Sequence, residues 1–101
     1  MAPKSEAKLL MAKAEKKAAS STGWFSSASS KFEEAGDLFQ QAANEFKLEK
    51  NFTEAGDAHA KEAECREKCG ENNDAANAWW NAAKAYKQAD QPDRGSIRVR
   101  G

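Results

Sequence analysis

A short motif returns in this chain every twenty residues. Glu-Ala-Gly-Asp occupies residues 34–37 and again residues 54–57, and a weaker version, Asp-Ala-Ala-Asn, occupies residues 74–77. Twenty residues suffice for one helix and one turn, and a fixed period of this length is the signature of stacked repeat architectures. The chain is therefore expected to be an array of similar units, each packed on its neighbours.

Within each unit the apolar residues recur three or four positions apart, which is the spacing of one face of an amphipathic helix. The clearest run is Phe32, Ala35, Phe39, Ala42, Ala43 and Phe46. The pattern and its breaks predict four helices, near residues 4–20, 30–49, 52–69 and 73–89. Connections of three or four residues predict that consecutive helices run antiparallel.

Capping residues mark these boundaries. Ser30 with Glu33 resembles a capping box for the second helix, and Asn51 precedes the third. Gly70 is expected to end the third helix in the left-handed conformation. Gly36 and Gly56, at equivalent points of the repeat, are expected to let helix backbones approach closely.

Composition supports an all-α fold. Alanine supplies 21 of the 101 residues, whereas Leu, Ile, Val and Phe together number 11, so the β-branched residues that sheets favour are scarce. We predict a TPR-like (tetratricopeptide-like) antiparallel array of helical hairpins, an α-solenoid fragment, over residues 1–91. Residues 92–101, which begin with a proline and carry three arginines, break the period and are expected to be a disordered basic tail.

Charge is distributed unevenly although the net charge is zero. Residues 1–31 carry a net +4, residues 32–91 a net −6 and residues 92–101 a net +2. The acidic body argues against nucleic acid as a partner, because phosphate binding needs a concentrated positive face. No apolar run is long enough to span a membrane, and no secretory signal is recognisable. We expect a soluble intracellular protein.

Two large aromatic residues, Trp24 and Phe25, lie in a loop over residues 20–30 that otherwise consists mainly of serine, alanine and glycine. They could fold back onto the first helices as a small apolar cluster. Alternatively, they could insert into a membrane interface, where a buried ring gains about 1.5–3 kcal/mol and nearby lysines are attracted to anionic lipid.

The remaining candidates for chemistry give weaker signals. His59, Cys65 and Cys69 are too few for a four-ligand zinc site, and no nucleophile or phosphate-binding loop accompanies them. We therefore expect the protein to have no enzymatic activity and to bind no metal or cofactor. His59 is expected to fill a slot between helices, and both thiols are expected to be packed. The rival hypothesis is a small metal-dependent or redox protein that uses His59, Cys65 and Cys69. Of the adjacent Trp79 and Trp80, about 100° apart on a helix, one is expected in the core.

Four segments together resemble the N-terminal part of the soluble NSF attachment proteins, the alpha-SNAP family. They are residues 9–17, 31–35, 46–52 and 85–90, and the resemblance runs from about residue 5 to residue 91, the first third of a typical member. It implies a non-enzymatic cytoplasmic adaptor, peripherally bound to anionic membrane, which contacts the SNARE complex (syntaxin-like) and, in full-length relatives, recruits the NSF-type AAA ATPase.

The resemblance also implies roles for individual residues. Trp24 and Phe25 match the membrane-attachment loop, and Lys50 and Lys87 match basic positions that face the acidic SNARE bundle. The tail has no counterpart in the family, so stimulation of the ATPase is not expected of this chain. A generic helical-repeat scaffold that binds an unrelated peptide is the alternative function.

Overall fold

The computed structural model describes residues 5–19 and 28–90, and these residues form four α-helices without a strand. The helices are α1 (Glu6–Ala19), α2 (Ala28–Leu48), α3 (Phe52–Lys68) and α4 (Asn72–Ala89). The prediction of an all-α array of about four helices is confirmed. Helix α2 begins two residues before the predicted start, so Ser30 lies inside its first turn and does not cap it.

Consecutive helices pack against each other in the order of the chain, α1 on α2, α2 on α3 and α3 on α4. Three-residue turns, 49–51 and 69–71, make the neighbours antiparallel, and Ala89 at the end of α4 accordingly lies beside the start of α3. One groove runs between α1 and α3 over α2, and another runs between α2 and α4 over α3. The helices therefore alternate between two layers, as in a helical-repeat array.

The core consists mainly of alanines wedged around two phenylalanines. Phe39 and Phe46 are each 2% exposed. Phe46 packs in a cluster that includes alanines from all four helices, and Phe39 packs with Ala14, Ala35 and Cys65. Small side chains at the contacts let the helices approach closely, which explains how a chain with few large aliphatic residues forms a continuous core.

His59 fills an inter-helix slot, as its place in the repeat predicts. Its ring is 2% exposed, and Nδ1 lies 3.0 Å from Glu62 Oε1. The expectation for the adjacent tryptophans is wrong: Trp79 and Trp80 are 40% and 63% exposed. Among the described helices α4 packs strongly only on α3, and alanines such as Ala78 and Ala82 occupy that contact, so neither indole enters the core.

The two repeat glycines make room for side chains rather than for backbones, which corrects the expectation from sequence. A Cβ at Gly36 would lie 3.3 Å from the Arg66 guanidinium, and a Cβ at Gly56 would lie 2.6 Å from the Tyr86 ring. The aspartate after each glycine then accepts a hydrogen bond from the same side chain: Arg66 Nη2 donates to Asp37 at 3.1 Å, and the Tyr86 hydroxyl donates to Asp57 at 2.5 Å. Each Gly-Asp pair thus accommodates a side chain from about thirty positions later: the glycine leaves space for it, and the aspartate accepts its hydrogen bond.

Candidate functional site

The residues that sequence reasoning assigned to SNARE contact lie at one end of the array. Lys50 is exposed in the turn after α2, and Lys87 is exposed in the last turn of α4. Residues 50–54 lie beside Ala89, two positions from Lys87. The structure thus brings Lys50 and Lys87 to the same end, whereas Trp24 and Phe25 lie outside the described residues.

Two further lysines, not singled out from the sequence, converge on this end. Lys47 of α2 is partly buried, and the pKa of its ammonium is lowered, first by burial and then by the charge of Lys84 of α4; Glu62 of α3 acts in the opposite direction. Lys47 lies near the end of α2 and Lys84 in the last third of α4, on the two sides of α3. Lys84 Nζ also lies 5.7 Å from the centroid of the Trp80 ring, a cation–π contact.

We call these four residues, Lys47, Lys50, Lys84 and Lys87, the lysine end. Within residues 5–19 and 28–90, none of the four is ion-paired with a carboxylate within 4 Å. The charge of Lys84 disfavours the charged form of Lys47, and an incoming carboxylate would relieve this repulsion. The lysine end is therefore suited to bind an acidic surface.

The opposite end of the same face is acidic. Among the described residues that line this end, Arg66 is the single cation; it is 8% exposed, and its guanidinium contacts Glu62 Oε2 at 3.2 Å, Asp37 Oδ1 at 3.1 Å and Glu71 Oε1 at 3.7 Å. Hydrogen bonds and charge from Asp37 and Glu62 raise the pKa of Arg66 even though its burial has the opposite and largest single effect. This network ties α2, α3 and the turn before α4 together.

A polar groove leads from the Arg66 network along α2 and α4 toward the lysine end. Its acidic walls also include Glu33 at the start of α2 and Asp74 at the start of α4, and side-chain amides follow toward the middle, from Gln40, Asn77 and Asn81. We call this feature the α2–α4 groove and its carboxylate-rich end, Glu33, Asp37, Glu71 and Asp74, the acidic end. Lys84 follows Asn81 by one turn of α4 and Lys47 follows Gln40 by two turns of α2, so the lysine end continues the line of the groove beyond its amides.

Sequence reasoning missed Lys47, Lys84 and the Arg66 network for different reasons. Lys84 and Lys87 are three apart on α4, which places them on one side of that helix, and this signal was available in the sequence. The meeting of the two pairs depends on the packing of α2 and α4 on α3. Arg66 occupies the repeat position of Phe46 and Tyr86, so the period alone predicts a large buried side chain there.

The thiols offer no separate chemistry. Cys65 is buried and Cys69 partly buried, both reduced, and burial is the main cause that raises the pKa of each thiol. The raised pKa keeps them protonated and weakly nucleophilic. The described residues contain no group of three or more His, Cys, Asp or Glu side chains placed to hold a metal ion, and none of their helices has the length and apolar character needed to cross a bilayer.

Comparison with known proteins gives a consistent family assignment. The family model described as "Soluble NSF attachment protein, SNAP" matches residues 5–98. The chain is 76% identical over 88 residues to the vesicular-fusion protein SEC17 of Coprinopsis cinerea, covering 87% of this chain, and 40% identical over 88 residues to the human alpha-soluble NSF attachment protein, covering 84%. It spans about 30% of the length of either relative. The search of solved structures found no match. A family model that covers nearly the whole chain, together with these identities, makes the chain a member of the soluble NSF attachment protein family.

Proposed function

We propose that this chain is a non-enzymatic adaptor of intracellular vesicle fusion that binds the SNARE complex through its lysine end. The family and the name "vesicular-fusion protein" of its relatives support the general role. The observation that supports the SNARE contact is that four lysines, from α2, the turn after it and α4, lie at one end of the array, and none is ion-paired with a carboxylate among the described residues. Complementary charge of this kind steers the encounter and fixes the register of two surfaces.

Retention of an assembled SNARE bundle by this chain tests the contact. Lys50→Glu and Lys87→Glu should each weaken retention, and the double variant should weaken it further, because each places a carboxylate opposite the acidic bundle. Lys13→Glu is the matched control, since Lys13 is an exposed lysine on α1, outside the α2–α4 groove. Binding that is indifferent to Lys50→Glu and Lys87→Glu, or equally sensitive to Lys13→Glu, would reject the lysine end as the contact.

The membrane contact is a second part of the proposal, and it rests on Trp24 and Phe25. Flotation with vesicles that contain phosphatidylserine should recover the wild-type chain and lose the Trp24→Ser/Phe25→Ser variant. Trp80→Ser is the control, because Trp80 is an exposed tryptophan on α4. Unchanged recovery of the loop variant would remove the membrane role and favour a generic helical-repeat scaffold.

Such an adaptor would be cytoplasmic and peripherally attached to membrane. Recruitment of an NSF-type ATPase is proposed for the full-length relatives.

A further inference from the structure

The α2–α4 groove is polarised along its length, and this property goes beyond a basic contact surface. Just beyond one end of its lining stand Lys47 and Lys84, neither of which is ion-paired with a carboxylate among the described residues, and at the other end stand Glu33 and Asp74. Lys84 contacts the ring of Trp80, which lines the groove, and it lies one turn after Asn81 on α4. Lys47 lies two turns after Gln40 on the same side of α2. The two charge groups therefore belong to one continuous surface.

The acidic end keeps a net negative charge after its internal pairing. Arg66 contacts Asp37, Glu62 and Glu71, whereas Glu33 and Asp74 are exposed and form no ion pair within the described part of the chain. A single guanidinium cannot neutralise five carboxylates. The end thus presents negative charge to any partner that reaches it.

The two helices that wall the groove, α2 and α4, favour a rod-like partner. Helices α2 and α4 are parallel, since each is antiparallel to α3, and they span about 25–30 Å at 1.5 Å per residue. The middle of the groove carries neutral amides from Gln40, Asn77 and Asn81. A helix or helical bundle laid along this floor would meet lysines, then amides, then carboxylates.

We propose that the α2–α4 groove reads the direction of the helical partner it binds. The partner that fits has an acidic surface patch and, about 15–20 Å along the same rod, a basic patch; its acidic patch lies on the lysine end and its basic patch on the acidic end. In the reversed direction both contacts are between like charges, which disfavours the wrong complex. Glu33 and Asp74 are therefore specificity-determining residues, and this inference rests on the proposed SNARE contact.

Zero-length carbodiimide cross-linking of the chain to an assembled SNARE bundle, followed by mass spectrometry, tests the direction. The reagent joins a carboxylate on one molecule to an amine on the other. The expected result is that carboxylates from one end of the bundle are joined to Lys84 and Lys87, while lysines from the other end are joined to Glu33 and Asp74. Cross-links of both bundle ends to both groove ends would overturn the inference.

A charge-reversal pair adds an affinity readout. Glu33→Lys/Asp74→Lys should weaken bundle binding by about tenfold, since two exposed charge contacts become repulsive, and should let either bundle end cross-link to Lys84 and Lys87. Glu15→Lys/Glu64→Lys changes the net charge equally but alters the α1–α3 groove instead, and it should leave the direction unchanged. The neutral variant Glu33→Gln/Asp74→Asn adds no positive charge near the first turns of α2 and α4. Its loss of bundle-binding affinity should be intermediate between wild type and the charge-reversal pair.

The outcomes separate the two proposals. A folded wild-type chain that retains no bundle at any ionic strength refutes the proposed SNARE contact, and the directional inference with it. A chain that binds through the lysine end, but whose affinity and cross-links are the same after Glu33→Lys/Asp74→Lys, overturns only the direction-reading role.

Discussion

At Gly56 and Gly36 the absence of a Cβ leaves space in which a side chain of a neighbouring helix packs, Tyr86 at Gly56 and Arg66 at Gly36. A Cβ at Gly56 would lie 2.6 Å from Tyr86 Cε1, closer than packed carbon atoms approach, whereas a Cβ at Gly36 would lie 3.3 Å from the tip of the Arg66 side chain. We expect Gly56→Ala to lower the free energy of unfolding by about 1–3 kcal/mol, the usual effect of overpacking. For Gly36→Ala the gain of about 1 kcal/mol in helix propensity offsets the tighter contact, so its effect should be small. Urea unfolding compares them, and equal losses would contradict this account.

The pKa of the Tyr86 hydroxyl depends on its hydrogen bond to Asp57. Burial, together with the hydrogen bond to Asp57 and the charge of that carboxylate, raises the pKa of Tyr86 to about 12. The neutral phenol is favoured in the folded state, so this contribution to stability is complete below pH 10 and is lost as the pH rises through about 12. Because Tyr86 is the single tyrosine, absorbance at alkaline pH follows it directly.

The change that tests this assignment is Asp57→Asn, which keeps a hydrogen-bond acceptor but removes the negative charge. The pKa of Tyr86 should then fall toward its ordinary value while the helical circular dichroism at neutral pH stays the same. A pKa that does not move would show that the carboxylate has no part in the shift.

At the scale of the element, α2 and α3 end in the same way with different residues. The backbone N–H of Asn51 donates to Phe46 and that of Glu71 donates to Arg66, each at 2.8 Å, so both ends are Schellman motifs. The residue with positive φ is Lys50 (65°) after α2 and Gly70 (79°) after α3. A side chain in this conformation costs about 1–2 kcal/mol, and glycine avoids the cost.

Placing a glycine at position 50 and a side chain at position 70 should therefore have opposite effects on the free energy of unfolding. Lys50→Gly should raise the free energy of unfolding by about 1 kcal/mol, and Gly70→Ala should lower it by a similar amount. No atom lies within 4 Å of a Cβ placed at Gly70, so the loss of stability would come from the backbone conformation alone. Thermal or urea unfolding of the two variants measures both signs. A Lys50→Gly variant less stable than wild type would show that the Lys50 side chain contributes more to folding than its backbone conformation costs.

The helices could be predicted from the sequence because their signals are local: apolar spacing gave α1–α4, and Gly70 marked the end of α3. The caps were less certain, since Asn51 occupies the N-cap position of α3 but its side chain donates to Glu49 instead of capping the helix. The site could be predicted only in part. Lys50 and Lys87 were found through resemblance. The placement of Lys47 and Lys84 at one end of the array and the contact of Arg66 with Asp37 depend on residues some thirty or more positions apart, and no local pattern encodes them.

The molecule as a whole carries no formal net charge, and a uniformly neutral surface would not attract an acidic partner from a distance. Separation of the lysine end from the acidic end gives the α2–α4 groove a dipole instead, which can both attract and orient an approaching rod. Raising the ionic strength from about 0.01 M to about 1 M shortens the Debye length from about 30 Å to about 3 Å. We therefore expect the association rate with an assembled SNARE bundle, followed by stopped-flow fluorescence, to fall by at least about tenfold over this range. Lys47→Gln/Lys84→Gln should already be slow at low salt and should respond weakly to added salt. A wild-type rate that is independent of salt would mean that shape, and not the separated charges, guides the encounter.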